Sequence, residues 1–340
     1  MAAGSASRPL YLVFDVGGTF IRGSLYDPAV NQLVREASLR TFSTWADPNA
    51  SHTYLIKQLL ESVSSLARIL AAPDPPDLIA ISFPGPIDSM GRALAIPTIV
   101  GATLREPLSI VGLFGQLWPR DRIIVLNDVT AAGFALRQRM EEDFCVVTVS
   151  SGIGSKVFVD GRPLIGSYGR GGEIGHVVVD QAPSANLCEC GGRGHLSAIS
   201  SGRGVAMTAR RKARLDPTSY RRSLMAKLDY ETLDAPVIVE AFHAGDQWAE
   251  EVISEAAAIL GCALAHVHTM VGVERLVLIG GFAVALGDRY RRLVAAGGSA
   301  SCWNLGQDWN AMVELSDLEG RACMLGAGRY ARLVTAMEKR

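Results

Sequence analysis

The sequence predicts an α/β protein built from two related halves. A strand, a glycine turn and a second strand occur near residues 10–26 and again near 144–160. Each hairpin is followed by alternating apolar runs and helical segments, the pattern of a duplicated α/β unit. The chain has 340 residues, 49% hydrophobic and 20% charged, long for one core and normal for packed domains.

The elements follow in order. Residues 10–15 form an apolar run that ends on Asp15 before Gly17-Gly18, a buried strand entering a tight turn, and residues 21–26 return as its partner. Leu55, Leu59, Val63, Leu66 and Leu70 repeat at three- and four-residue spacing, which predicts an amphipathic helix over 54–70 stopped by Pro73, Pro75 and Pro76. Strands follow at 78–83, before Pro84-Gly85-Pro86, and at 122–126, before Asn127-Asp128, with a helix over 129–140. The second cycle has strands at 144–149 and 156–160 around the turn Ser150-Ser151-Gly152-Ile153-Gly154, with a further turn at Asp160-Gly161. After a glycine-rich stretch, 166–204, come a long apolar helix over 248–270, a strand at 275–279 closing on Gly280-Gly281, and a last helix over 322–338. A boundary near 130–143 separates domains of residues 1–130 and 131–321, with a C-terminal helix, 322–340, packing back on the first.

Composition narrows the function. A net charge of −1 gives no bulk field for nucleic acid or an anionic membrane. The run Arg210-Arg211-Lys212-Ala213-Arg214, with Arg221 and Arg222 beyond, reads as a solvated helix face. Cys145, Cys262 and Cys323 lie in apolar runs and read as buried small hydrophobes, which fits a reducing compartment rather than a disulfide scaffold. The stretch Met1 to Pro9 has no apolar core of a signal peptide, and no run approaches eighteen apolar residues. A cytoplasmic protein with no membrane partner is expected.

Five motifs carry chemistry. Asp15-Val16-Gly17-Gly18-Thr19 with Arg22 offers turn amides, a hydroxyl and a carboxylate, which suit phosphate oxygens and magnesium. The same turn is also an ordinary hairpin connection. Ser151, Gly152 and Gly154 form a second small-residue turn at the matching place. Neither a P-loop nor a dinucleotide fingerprint is present. Asn127-Asp128 ends a strand, where a carboxylate serves either as a general base or as a helix cap. Gly172-Glu173-Ile174-Gly175-His176 precedes Cys188-Glu189-Cys190 and His195. His176, Cys188, Cys190 and His195 lie within twenty residues and form a two-thiol, two-imidazole set suited to tetrahedral zinc. Gly280-Gly281-Phe282 is a close-approach turn that admits either an adenosine or nothing more than a helix start.

Taken in order, Asp15-Val16-Gly17-Gly18-Thr19-Phe20-Ile21-Arg22, Pro84-Gly85-Pro86-Ile87-Asp88, Asn127-Asp128-Val129-Thr130, Ser151-Gly152-Ile153-Gly154, the Glu173–His176 motif, Cys188-Glu189-Cys190-Gly191-Gly192-Arg193-Gly194 and Ile279-Gly280-Gly281 resemble the ROK family of glucokinase-like sugar kinases and repressors. The resemblance spans about 10–330. It implies an actin-like ATPase fold, with two α/β domains around a central cleft, and ATP, Mg2+ and a structural Zn2+. By that analogy Asp15, Gly17, Gly18, Thr19, Ser151, Gly152 and Gly154 hold phosphates, while Gly280 and Gly281 lie near the nucleoside. Asp128 is the general base and Asn127 orients the substrate. Glu173, His176 and Ser197 face its hydroxyls, and His176 also joins Cys188, Cys190 and His195 on zinc.

The chain departs from the family pattern at His195, where the family has cysteine, and at Ser197, where it has glutamate. Pro97-Thr98-Ile99 stands where the family tends to Pro-Asn-Leu. Ser197 cannot act as a charge-assisted acceptor. The expected reaction is therefore phosphorylation of a primary hydroxyl on a C7-cyclitol of the valiolone or valienone type, or on a modified sugar. Plain glucose is the alternative. A sugar-responsive regulator is the lesser reading, since only fourteen residues precede Asp15. A homodimer is the expected assembly.

Overall fold

The computed structural model describes residues 9–44, 46–72, 76–101, 104, 106–119, 122–316, 318 and 320–338. The segment 1–8, the helix stops Pro73 and Pro75, and residues 339–340 of the C-terminal helix lie outside the described residues. Two compact units emerge: Met1–Gln138 with Ile165–Gly171 and Arg321–Arg340, and Arg139–Leu164 with Gly172–Gly320.

In the first unit, β1 (Tyr11–Val16), β2 (Phe20–Asp27), β3 (Gln32–Arg40), β4 (Leu78–Phe83) and β5 (Ile123–Asn127) form one sheet in the order β3-β2-β1-β4-β5. The expected hairpin is present, β1 pairing antiparallel with β2 from Tyr11 opposite Tyr26 to Val16 opposite Ile21. β4 runs parallel to β1, and β5 parallel to β4. Every residue of β1 and β4 is buried, as their continuous apolar runs require. The edge strand β3 was not expected, because it is largely exposed and Arg35, Glu36 and Arg40 interrupt its apolar pattern.

Helix α1 (His52–Ile69) is capped by Ser51, whose hydroxyl accepts from the Tyr54 amide, and buries Leu55, Leu59, Val63 and Leu66. These side chains join Phe14, Ile81 and Phe83 in one core. Helix α2 (Asp128–Leu136) ends four residues before the expected 140. Beyond Leu136 the chain turns extended at Arg137, and residues 138–140 are exposed, with no core to face. The C-terminal helix (Ala322–Glu338) lies tightly on α2: a Cβ on Gly326 would sit 1.6 Å from the Ala131 carbonyl oxygen.

The second unit repeats this plan. β6 (Phe144–Val149), β7 (Ile153–Val159), β8 (Arg162–Pro163), β9 (Leu276–Ile279) and β10 (Val313–Leu315) are ordered β8-β7-β6-β9-β10. β6 and β7 form the antiparallel hairpin, and β9 runs parallel to β6. The hairpin turn is shorter than expected. Ile153 and Gly154 already belong to β7, Gly154 pairing with Thr148, which leaves Ser150-Ser151-Gly152 as the turn.

Four longer helices follow: α3 (Gly202–Leu215), α4 (Ala235–His243), α5 (Gln247–Val271) and α6 (Gly281–Ser301), the last broken at Gly287. Of these, α5 was expected from its apolar spacing, and α3 only as the helix carrying the basic run. The inward positions of α3 are Val205, Ala206, Ala209 and Ala213, too small to stand out among arginines and lysines. The basic run is only partly a solvated face, because Arg210 donates to the Leu233 carbonyl and Lys212 pairs with Glu255. α5 is long and apolar enough by composition to cross a bilayer. Its Trp248, Val252, Ile253, Leu260 and Leu264 are buried in the unit's core, as a core helix requires. Cys145 is buried as expected, whereas Cys262 and Cys323 are half-buried.

Gly326→Ala should cost about 1–3 kcal/mol, because the new methyl has nowhere to go without parting the two helices. Thermal or urea unfolding measures this. A variant as stable as the parent would show that the contact with Ala131 is not tight.

Candidate functional site

In the first unit the parallel strands deliver their polar residues to one end of the sheet. β1 ends near Asp15, which pairs with Ser82 of β4, while Phe83 of β4 pairs with Asn127 of β5. The carboxyl ends of parallel strands are where open α/β sheets bind ligands. Asp15 is 6% exposed. The Ser82 hydroxyl donates to its Oδ1 at 2.9 Å, and Arg22 Nη1 to its Oδ2 at 3.3 Å. Burial pushes the Asp15 carboxyl up, and Arg22 and Ser82 oppose that push.

The glycine turn divides its donors. Gly17 N–H donates to the Phe20 carbonyl at 3.0 Å, and the Thr41 hydroxyl donates to the Gly17 carbonyl at 2.6 Å. The Gly17 amide and carbonyl are thereby both used within the turn.

Asn127 caps α2, its Oδ1 accepting from the Thr130 amide at 3.1 Å. Its Nδ2 donates to the Gly85 carbonyl at 3.0 Å and to Asp128 Oδ1 at 2.8 Å. With both N–H bonds engaged, and Oδ1 also accepting from the Thr130 hydroxyl at 3.4 Å, the Asn127 side chain is held on all sides and steers Asp128. Asp128 sits in the first turn of α2, and its Oδ1 also accepts from the Val129 amide at 2.8 Å. The two sequence readings of this pair divide between the residues: Asn127 is the cap and Asp128 is the carboxylate it steers. Cys323 reaches the Asp128 carbonyl with its thiol at 3.5 Å. Burial pushes that thiol well up, and the charges of Asp15 and Asp128 push it further, so it stays protonated.

In the second unit the loop after β8 lies on β7. Gly172 adopts a φ of +71°, and a Cβ on Gly175 would fall 2.1 Å from the Ile153 carbonyl oxygen. The Ser155 hydroxyl donates to the Gly172 carbonyl at 2.6 Å. Glu173 closes a short 3-10 turn, its carbonyl accepting from the His176 amide at 3.0 Å. Lys156, which the sequence reading passed over, is buried on β7, and its Nζ lies 2.6 Å from Glu173 Oε1. A lone charged residue in the middle of a strand was the signal available.

Ser197 is 6% exposed and accepts the Ile153 amide on its Oγ at 3.1 Å. Its hydroxyl thus helps to hold the Ser150-Ser151-Gly152 turn, with a second tie from the Gly202 amide to the Ser150 carbonyl at 2.8 Å. This turn opens on a cavity of about 680 Å³ lined by Ser151, Gly202, Arg203, Pro236, Gly281 and Phe282. Its size is that of a small-molecule pocket. Gly280, at a φ of +100°, makes the approach possible, since a Cβ there would sit 2.7 Å from the Val149 carbonyl oxygen. Ser151 and Gly281, expected at the phosphates and the nucleoside, line the same cavity. Arg203 was missed, and its guanidinium is paired with Glu189, between the two cysteines.

The ligand atoms of His176, Cys188, Cys190 and His195 all lie within 4.8 Å of one another. His195 Nδ1 stands 3.1 Å from Cys190 Sγ, and His176 Nδ1 3.9 Å from Cys188 Sγ. Burial pushes the Cys188 thiol up; the Cys190 backbone amide opposes that push, while the Cys190 side chain adds to it. Burial and the charge of His176 push the His195 imidazole down, toward its neutral ligating form. Two thiols and two imidazoles converging this closely suit a dication that would stabilise the thiolates. The four residues fit zinc, which when bound would brace the loop that carries Glu173 and His176.

The chain is similar to known proteins along most of its length. A model of the ROK family matches residues 11–331. The chain is 34% identical over 331 residues to a C(7)-cyclitol 7-kinase of Streptomyces hygroscopicus subsp. jinggangensis, covering 94% of this chain and 93% of that protein. It is 32% identical over 206 residues to a glucokinase of Aeropyrum pernix, covering 58% of this chain and 62% of that one. Among solved structures, a ROK family glucokinase from Streptomyces griseus in complex with glucose and AMPPNP matches at 22% identity with a TM-score of 0.73, covering 95% of this chain and 99% of that one. The two five-stranded units are those of the actin-like ATPase fold.

The donor set predicts stoichiometric zinc in purified protein, read by elemental analysis, and a fall in melting temperature on chelation. Cys190→Ser should lower zinc occupancy. Protein that carries no zinc and ignores chelators would refute a metal role for the four residues.

Proposed function

The chain belongs to the ROK family, and from that premise we propose that it is an ATP-dependent kinase for the primary hydroxyl of a C7-cyclitol. The observation that carries the reading is Asp128. It is a carboxylate at a strand end, held by an amide from its own helix turn and by the Asn127 side chain. Such a group suits the removal of a proton from an attacking hydroxyl. Phosphoryl transfer otherwise asks mainly for alignment and charge neutralisation. Asp15 suits the magnesium ion or its waters, and the amides of Gly18 and Thr19 suit phosphate oxygens. The 680 Å³ cavity beside Ser151 and Gly281 suits the nucleoside.

Glu173 and His176 would accept and donate hydrogen bonds to acceptor hydroxyls. Zinc on His176, Cys188, Cys190 and His195 would fix that loop in shape. Ser197 supports the choice of acceptor. Its short side chain is occupied with the Ile153 amide, so a carboxylate that would grip a sugar near its anomeric end is missing. A cyclitol has no anomeric centre to grip. Similarity to a C(7)-cyclitol 7-kinase over 94% of the chain supports the same acceptor. Glucose is the second reading, favoured by the similarity to a glucokinase.

An ADP-release assay with magnesium decides between them, run on glucose, mannose, N-acetylmannosamine, kanosamine and valiolone. Valiolone should exceed glucose in kcat/KM. Glucose as the best acceptor would sink the cyclitol assignment, and silence across the panel would sink the kinase. Asp128→Asn should lower kcat about 10²- to 10⁴-fold with acceptor binding retained. Near-normal turnover would remove Asp128 from the role of base. Ser197→Glu should move selectivity toward glucose.

A further inference from the structure

Lys156 has no part in the chemistry above, yet it is the most deeply buried cation described beside the acceptor loop. Its side chain is 3% exposed, in the middle of β7 and opposite Val146. A buried ammonium is costly unless it is paired and hydrogen-bonded. Glu173 supplies that pairing at 2.6 Å and is itself 37% exposed. The loop is built to keep them together. A Cβ on Gly172 would lie 3.0 Å from Lys156 Cδ, and Ser155, the preceding residue of β7, binds the Gly172 carbonyl.

Resting on the acceptor role proposed for Glu173, we propose that Lys156 is a specificity-determining positioning residue, making the acceptor loop select neutral polyols over acceptors that carry an ammonium group. Lys156 takes Glu173 Oε1 and cancels the carboxylate's charge, and Oε2 remains to accept a hydroxyl. A hydroxyl needs only that acceptor. An ammonium group needs an uncompensated anion, and it meets the Lys156 charge instead. Glu189, between the two metal-binding cysteines, is likewise compensated, by Arg203. Ser197 contributes no charge.

The test compares glucose with glucosamine, and valiolone with valiolamine, in wild type and Lys156→Met. Wild type should favour the neutral member of each pair. Lys156→Met should shift the kcat/KM ratio toward the amine by about tenfold or more. KM for the neutral acceptor should rise more than kcat falls, with KM for ATP unchanged. In a Glu173→Gln background the lysine substitution should leave the ratio where it is, which a general loss of structure would not do. Lys156→Arg keeps the cation and should keep the wild-type preference, whatever becomes of the methionine variant. An unchanged ratio in Lys156→Met with an intact melting transition overturns the inference, as does a wild-type preference for the amines. Calorimetric titration of the same four acceptors reads the same ratios without turnover. An absence of turnover therefore counts against the kinase reading, and equal affinities count against Lys156.

Discussion

The side of the second unit proposed to hold the acceptor depends on one steric constraint, the seating of residues 172–176 directly on β7. Gly175 touches the Ile153 carbonyl where no side chain would fit, and Gly172 uses a left-handed backbone to pass over Ser155 and Lys156. Because the loop has no clearance, the strand beneath decides where Glu173 and His176 stand. The same strand starts at the amide that Ser197 binds. The acidic loop, the small-residue turn and the start of the 197–200 helix are therefore three attachments to one strand. That is a way to hold polar groups in a glycine-rich region with little secondary structure of its own.

The first unit solves a different problem, keeping acids at the ends of buried strands. Asp15 loses most of its hydration and regains part of it from Ser82 and Arg22. Asp128 is stabilised by helix amides instead, which carry partial positive charge at the start of α2. Cys323 stands between these environments with a thiol that burial keeps neutral, so it can donate to the Asp128 carbonyl without adding a third negative charge. The tight crossing at Gly326 and Ala131 holds the start of the C-terminal helix against α2 and keeps that thiol in place.

Much of this was legible in the sequence. Both hairpins, α1, α5 and the buried strands followed from apolar spacing, because each of those elements meets a core with large side chains. The four clustered His and Cys residues were legible from spacing alone, and they do converge. The rest failed for physical reasons. β3 is an exposed edge, and α3 packs through alanines and a valine that leave no strong periodic signal. The small-residue turn was read too long, because Gly154 resembles a turn residue while acting as a strand residue paired with Thr148. Lys156 and Arg203 escaped notice because each acts through a partner distant in sequence. Glu173 is 17 residues from Lys156, and pairings of that kind follow from the sheet rather than from any local pattern.

Arg203 adds a last connection. It lines the cavity beside Ser151 and Gly281, and its guanidinium pairs with Glu189, which stands between Cys188 and Cys190. The four ligand atoms and the cavity wall therefore share one ion pair. Burial weakens the hold of Arg203 on its proton, and the negative charge of a Cys188 thiolate would restore it. Loss of the metal would loosen Glu189 together with the loop that carries it. Zinc held by these four residues would brace the 172–176 loop on one side and the arginine of the cavity wall on the other.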